Sequence, residues 1–272
     1  MNIDSFFYEH SVFRLDEYAA WKKMHGSSSK TAIHSSIKYY LKEGRLINIR
    51  RGLYAVVLPN SSVENTPVDP YLVAAKASDD SVLAYHTALE LHGTAYSTFG
   101  KFIFLTSKKI KAFYFQDQLF QPTSIPTSLY SKSETGITTI DRQGISIRIT
   151  SIERTFVDAL SRIELCGGLE EVARSLESMS ALDINNVIQY TLQLKNSVLA
   201  AKVGYFLEKR EGAFSVDRSI LKPLFSLKPK SPQYLDAHQK KYCRYVMRWN
   251  LMVPEKFINR TFEEPNYDNN DV

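Results

Sequence analysis

Few residues in this sequence would tie the chain to a membrane, a metal or a disulfide framework. Only two cysteines occur among 272 residues, Cys166 and Cys243, and their separation fits neither metal-ligand nor redox spacing. We interpret them as reduced thiols, which predicts a cytoplasmic location. No run of 18 apolar residues exists, so no membrane span is expected. The first residues carry an acid and lack a basic, apolar leader, so no signal peptide is expected either.

Motifs of enzyme chemistry are also missing. The sequence has no P-loop, no Gly-x-Gly-x-x-Gly run and no Ser/His/Asp order. A metal site at His86, Glu90 and His92 is conceivable, but only His86 and Glu90 share a helical face and no HExxH spacing is present. Helix-terminal and interior positions explain these three residues more simply. We therefore expect no catalytic residues, no metal and no cofactor, and hence a protein that is not an enzyme.

Positive charge is concentrated in two segments of the chain, whose formal net charge is +5. Residues 1–59 hold nine Lys and Arg against five acids, a net +4. Residues 219–260 hold nine against two, a net +7. Two concentrated basic segments suggest two surfaces that could meet phosphate. A merely solvated basic face is an equally good explanation for the second segment.

Apolar periodicity in the first 59 residues predicts three helices and a hairpin. The Phe13–Asp16 stretch is interpreted as the entry into the second helix, which Gly26 ends. Arg51-Gly52 predicts the tight turn between the two strands, since glycine tolerates the positive φ that such turns require. This order indicates a winged helix-turn-helix. The predicted elements are helices over residues 3–10, 15–24 and 30–43 and strands over 46–50 and 53–58.

The solvent face of the third predicted helix, together with the hairpin turn, is the candidate DNA-binding surface. Lysines on the helix can reach phosphate or a guanine edge, and its His, Ser and Thr side chains can reach base edges. The helix start suits a phosphate, and arginines on the turn would clamp the backbone or enter the minor groove. Winged helices that dock proteins are the alternative. The predicted contact residues are Ser29, Lys30, Thr31, His34, Ser35, Lys38, Arg45, Arg50 and Arg51.

The rest of the chain predicts a larger mixed α+β domain with a small sheet and a helical bundle. A Ser-, Asn- and Pro-rich linker at 60–70 separates residues 1–59 from residues 71–272. Strand patterns dominate residues 71–150, helical patterns dominate 151–212, and 213–272 has little periodicity. Arg154 and Asp158 are spaced for an i,i+4 ion pair on one helix. The predicted fold class is α+β.

Several motifs, taken in order, resemble the AbiEi antitoxins of abortive-infection operons. The Gly44–Tyr54 stretch is similar to the end of that family's N-terminal winged helix. The Tyr85–Gly93 stretch resembles its Ser-Ala-Leu-x-x-His-Gly element, with Thr87 where serine is usual. The Ser151–Asp158 stretch resembles its Glu-Arg-Thr element. The closing segments around 234–236 and 248–251 resemble those of longer members.

The resemblance implies a type IV antitoxin that represses its own operon by binding inverted repeats of double-stranded DNA in the promoter. It also implies opposition to an AbiEii-like nucleotidyltransferase toxin without a stable complex. Members of this family also use basic residues of the C-terminal domain in DNA contact, which would suit the basic 219–260 segment. A monomer in solution that binds DNA cooperatively would fit these expectations.

Two rival functions remain open at this point. One is a stand-alone DNA-binding transcriptional regulator with no toxin partner, which the absence of a neighbouring nucleotidyltransferase gene would favour. The other is a nuclease-type enzyme that uses the winged helix for targeting. The lack of a carboxylate–lysine cluster argues against the nuclease.

Overall fold

The computed structural model of the chain describes residues 3–26, 29–132, 134–210 and 218–259. Ser27 and Ser28, just before the third predicted helix, and the end of the chain beyond residue 259 lie outside these ranges. Within them, no helix is both long enough and apolar enough to cross a membrane.

Helices and strands are mixed along the chain, which confirms the predicted α+β class. The helices are α1 Ile3–Glu9, α2 Leu15–Met24, α3 Lys30–Lys42, α4 Pro70–Lys76, α5 His86–Leu91, α6 Ile152–Ser161, α7 Leu169–Glu177, α8 Ile184–Gln193, α9 Ser197–Lys209, α10 Lys222–Leu227 and α11 Glu255–Asn259. The strands are β1 Val12–Arg14, β2 Leu46–Arg50, β3 Leu53–Val56, β4 Val82–Leu83, β5 Lys101–Thr106, β6 Phe113–Phe115, β7 Gln118–Ser124, β8 Ile137–Arg142, β9 Ile145–Thr150, β10 Gln233–Tyr234, β11 Cys243–Val246 and β12 Leu251–Pro254. Short 3-10 turns lie at Thr127–Lys132, Ile163–Cys166, Arg218–Leu221 and Met247–Trp249.

The chain divides into two compact units that do not follow the domain boundaries predicted at residues 59–71. The first unit consists of Met1–Leu83, Gly100–Ser124 and Thr138–Ile149. The second consists of Ala84–Phe99, Ile125–Ile137 and Thr150–Val272. Strands β5 and β9 pair with β4, so the strands of residues 100–149 group with the beginning of the chain. The linker prediction used local composition. Pairing between strands that lie far apart in the sequence leaves no trace in local composition.

The beginning of the first unit has the element order α1-β1-α2-α3-β2-β3 and a sheet of order β1-β3-β2. This arrangement is compatible with the predicted winged helix-turn-helix, which stays a prediction. The helix entry predicted at Phe13–Asp16 is wrong in part, because Val12–Arg14 is a strand that pairs antiparallel with β3. A strand of three residues depends on its distant partner, and no local period could show it.

An aromatic cluster holds these first elements together. Phe6, Phe13 and Tyr18 are almost wholly buried. The ring centroid of Phe6 lies 5.1 Å from that of Phe13 and 5.3 Å from that of Tyr18. Burying each such side chain contributes roughly 1.5–3 kcal/mol. Ile33 and Ile37 of α3 complete the cluster, and the hydroxyls of Tyr18 and Ser36 are hydrogen-bonded at 2.6 Å. Helix α3 is thereby fixed in its rotation against α2.

The rest of the first unit is built on a sheet of order β6-β7-β5-β4-β9-β8. Its strands β5, β6 and β9 lie within residues 71–150, the segment whose sequence predicted strands. Strand β7 was not predicted. It contains Pro122 yet pairs in parallel with the whole of β5, although proline usually argues against a central strand.

The second unit contains the helices α6 to α9, and its centre confirms the predicted ion pair. Arg154 Nε lies 3.1 Å from Asp158 Oδ2, and both residues are buried. The Tyr190 hydroxyl donates to Asp158 Oδ1 at 2.8 Å, and Arg154 Nη1 donates to the Thr135 carbonyl at 2.7 Å. These bonds offset the desolvation of a buried charge pair, which is otherwise costly.

Trp249 anchors the three-stranded sheet of order β10-β12-β11 on helix α9. Its indole Nε1 donates to Glu208 Oε2 at 2.6 Å, and its ring lies against Gly204. A β-carbon added at Gly204 would come within 2.2 Å of the ring, a distance that no packed core tolerates.

We therefore expect Gly204→Ala to destabilise the protein by about 3 kcal/mol, because the indole must move and lose packing. Denaturant unfolding followed by tryptophan fluorescence measures this loss. The control is Gly100→Ala, where an added β-carbon meets nothing within 4 Å, so the unfolding midpoint should hardly change. Equal stability of the two variants would contradict the proposed close approach.

Candidate nucleic-acid interface

Helix α3 presents a polar face outward because its apolar stripe packs in the core. The Ser29 hydroxyl caps the helix by accepting the Ala32 amide at 3.1 Å. Ile33 and Ile37 are buried, whereas the predicted contact residues on this helix are exposed. The i,i+4 spacing aligns Lys30 with His34 and Lys38. The exposed contact residues of α3 are Lys30, Thr31, His34, Ser35 and Lys38.

Arg51 and Gly52 form the turn between β2 and β3. Together with Arg50, the last residue of β2, we call them the hairpin turn. Gly52 has φ +81°, a backbone conformation that residues with a β-carbon rarely adopt. An added β-carbon would meet no atom within 4 Å, so glycine is needed here for the backbone conformation and not for space. Its carbonyl accepts the Leu15 amide at 2.9 Å. The hairpin turn is thus tied directly to the start of α2.

A cleft of about 580 Å³ lies in the first unit between the start of α3, the hairpin turn and the ends of α4 and β5. It is lined by more cations than acids and by several apolar side chains. The cations are Arg14, Lys30, Arg50, Arg51, Lys76 and Lys108, and the acids are Asp16 and Asp79. The apolar side chains include Leu15, Ile33, Leu53 and Ile110. The polar His34 also faces this space.

Half of these cations are already neutralised. Arg14 Nε pairs with Asp16 at 2.9 Å, and Lys76 Nζ lies 2.5 Å from Glu17 Oε1. Lys108 Nζ lies 2.5 Å from Asp79, and its hydrogen bond holds the pKa of that carboxyl below the usual range.

The uncompensated charge of the cleft is confined to the start of α3 and the hairpin turn. Lys30, Arg50 and Arg51 make no ion pair with a carboxylate within the described ranges. An anion that approached here would therefore meet three cations and the free amides of a helix start.

Arg50 is held in place by an aromatic ring, but one of its guanidinium nitrogens lacks a hydrogen-bond acceptor within the described ranges. Its guanidinium lies 4.8 Å from the ring centroid of Phe113, a cation–π arrangement. Its Nη1 is buried and has no hydrogen-bond partner among the described residues. A buried charged donor without a partner is costly.

The structure does not bring all the predicted contact residues to the cleft. Ser29, which caps α3, and Thr31, Ser35 and Lys38 on that helix are exposed outside its lining. Arg45 lies elsewhere: it pairs with Asp4, and its guanidinium packs 5.1 Å and 5.3 Å from the rings of Phe7 and Tyr40. A DNA contact by Arg45 would have to compete with these partners.

Sequence reasoning missed Arg14, Lys76 and Lys108 as members of the site. Each is one cation among 34 Lys and Arg residues, without a local motif around it. Only the pairing of β4 with β5 brings the end of α4 close to the residues that follow β5. No sequence signal could have identified these three residues.

The residues of the discarded metal hypothesis have other partners, all in the second unit. His86 Nε2 lies 3.2 Å from Glu171 Oε1, and His86 Nδ1 lies 3.4 Å from Glu90. His92 Nε2 instead hydrogen-bonds the Thr150 carbonyl at 2.8 Å. Nowhere in the described ranges do three or more His, Cys, Asp or Glu side chains form a group that could hold a metal ion.

Fold and site together define a mixed α+β chain with a cationic cleft beside a capped helix and a hairpin turn. No family model matches the chain, and no curated protein matches it. A crystal structure of the RV2827C protein from Mycobacterium tuberculosis is similar, with a TM-score of 0.62 over 96% of this chain and 94% of that chain. The two sequences are 12% identical, so this likeness shows the fold alone.

Asp80 fixes the loop that forms one wall of the cleft. It accepts hydrogen bonds from Thr106 Oγ1 at 2.5 Å, the Ser107 amide at 2.8 Å and the Ser78 hydroxyl at 2.6 Å. Burial by itself would raise the pKa of Asp80, but the hydrogen bonds from Ser107, Ser78 and Thr106 outweigh it and lower the pKa strongly. The ionised carboxylate of Asp80 is therefore stabilised by the folded state.

We expect Asp80→Asn to lower the free energy of unfolding by about 1–2 kcal/mol at neutral pH. Because the folded-state pKa is depressed, the stabilisation is full above the unfolded-state pKa and is lost as pH falls, from about pH 5 downward. The difference between wild type and variant should thus shrink in acid. Urea unfolding at neutral and acidic pH measures it, with the exposed Asp117→Asn as control. A difference that stays constant with pH would contradict this role.

Proposed function

We propose that the chain binds double-stranded DNA through α3 and the hairpin turn and represses transcription from inverted repeats in its own promoter. The observation that carries the proposal is the uncompensated charge of Lys30, Arg50 and Arg51 beside the capped start of α3. Phosphate contacts supply most of the affinity of such proteins for DNA. In this proposal Arg50 and Arg51 bind the backbone or enter the minor groove. Lys30, His34 and the other exposed residues of α3 contact base edges.

The antitoxin half of the proposal rests on the ordered motifs that resemble AbiEi antitoxins. We propose that the protein counteracts an AbiEii-like nucleotidyltransferase toxin in the cytoplasm without forming a stable complex. No enzymatic chemistry is assigned to it. The second unit contains the Tyr85–Gly93 and Ser151–Asp158 elements, so neutralisation is proposed to reside there. A stand-alone transcriptional regulator with no toxin partner is the alternative.

Removing both hairpin arginines should abolish most operator binding. Charge-assisted hydrogen bonds contribute about 1.5–3 kcal/mol each, so Arg50→Ala with Arg51→Ala should weaken binding roughly 100-fold or more. A gel-shift assay with the promoter duplex measures this.

By contrast, His34→Ala should change the preference among operator variants by about 1–3 kcal/mol if His34 contacts a base.

The matched control removes the same charge away from the cleft, by Lys101→Ala with Lys195→Ala. This variant should bind the promoter almost as tightly as wild type. A separate Arg45→Ala variant tests the predicted contact residue that is paired with Asp4. Undiminished binding by the Arg50/Arg51 variant, with its fold intact by circular dichroism, would overturn the winged-helix mechanism.

Co-expression with the nucleotidyltransferase-like toxin of the neighbouring reading frame should restore growth. The Arg50/Arg51 double variant, expressed from an unrelated promoter, should also restore growth, because it leaves the second unit unchanged. Colony counts under toxin induction measure rescue. A well-expressed protein that gives no rescue would remove the antitoxin claim and leave the regulator alternative. The absence of any such neighbouring gene would point the same way.

A further inference from the structure

The three-stranded sheet of the second unit carries an exposed row of apolar and aromatic side chains. Register places Tyr234 of β10 opposite Met252 of β12, and Met252 opposite Tyr245 of β11. Residues paired in this way point to the same side of a sheet. Tyr234 is 38% exposed and Tyr245 is 43% exposed, so two rings flank a central methionine on the outer face.

The opposite face of this sheet is anchored, so the row is held in place. Leu251 and Val253, which alternate with Met252 along β12, are fully buried. Trp249, just before β12, is fixed by its bond to Glu208. On the outer face, the Tyr245 hydroxyl donates to Asn250 Oδ1 at 2.6 Å, which restrains the ring.

Two lysines lie at the Tyr234 end of the exposed row. Lys240 Nζ lies 5.8 Å from the centroid of the Tyr234 ring, and Lys241 is exposed beside it in the sequence. Neither lysine pairs with a carboxylate in the part of the chain that the structure describes.

From this combination we infer that the outer face of the β10-β12-β11 sheet binds single-stranded nucleic acid by stacking unpaired bases. Neighbouring strands lie roughly 4.8 Å apart, so successive unstacked bases can follow the row from Tyr234 over Met252 to Tyr245. Aromatic rings beside lysines are the usual means of binding single strands without sequence preference. In a duplex the base faces are hidden in the stack, so rings on a sheet surface could not reach them. This inference does not depend on operator binding by α3.

Fluorescence anisotropy with the full-length protein and a labelled single strand of about 12 nucleotides, RNA or DNA, tests the inference. The matching duplex serves as the second probe. Tyr234→Ala with Tyr245→Ala should weaken single-strand binding by about 5- to 150-fold for each ring lost. Tyr234→Phe with Tyr245→Phe keeps both rings and should retain the affinity. Lys240→Ala with Lys241→Ala should reduce the salt dependence of binding, by about 0.7 in logarithmic slope for each phosphate contact.

The control is Tyr114→Ala, which removes an exposed tyrosine of the first unit. It should leave single-strand affinity unchanged. No binding of single strands, or equal affinity in the folded Tyr→Ala double variant, would overturn the inference. So would a duplex affinity that falls as much as the single-strand affinity, because the surface would then bind paired DNA.

Discussion

The burial of Phe6, Phe13 and Tyr18 is the constraint on which the proposed interface depends. These rings connect α1, β1 and α2, and the inner stripe of α3 packs against them through Ile33 and Ile37. Rotation of α3 by even one residue position, about 100°, would expose that stripe. The outward direction of Lys30 and His34 is therefore a consequence of apolar packing on the far side of the helix.

Charge pairing then decides which cations of the first unit remain available. Asp16, Glu17 and Asp79 engage the cations contributed by β1, α4 and the residues after β5. What remains lies on the start of α3 and the hairpin turn, where Arg50 is supported by Phe113. An interface restrained before binding loses less conformational entropy when a ligand arrives. The cleft thus combines available charge with side chains that are already positioned.

Local patterns were sufficient for the parts of the fold that depend on neighbours in sequence. The α3 period, the positive φ at Gly52 and the i,i+4 spacing of Arg154 and Asp158 were all readable, and the structure has each of them. Strands β1 and β7 were not readable, since one is short and the other contains Pro122, and both depend on distant partners.

Dependence on distant partners also decides which site residues could be predicted from the sequence. Lys30 and Arg50 follow from helix and hairpin, whereas Lys76 and Lys108 reach the cleft only through the pairing of β4 with β5. Arg45 could be placed near the hairpin by sequence, but its partner Asp4 could not be foreseen.

The salt dependence of promoter binding tests the central claim most directly. For duplex DNA, the logarithm of the association constant falls with the logarithm of salt concentration by about 0.9 for each phosphate contacted. If Arg50 and Arg51 each contact a phosphate, their replacement by alanine should reduce that slope by about 2, while the Lys101/Lys195 variant keeps the slope of wild type. An unchanged slope in the folded Arg50/Arg51 variant would contradict the assignment of this surface to DNA.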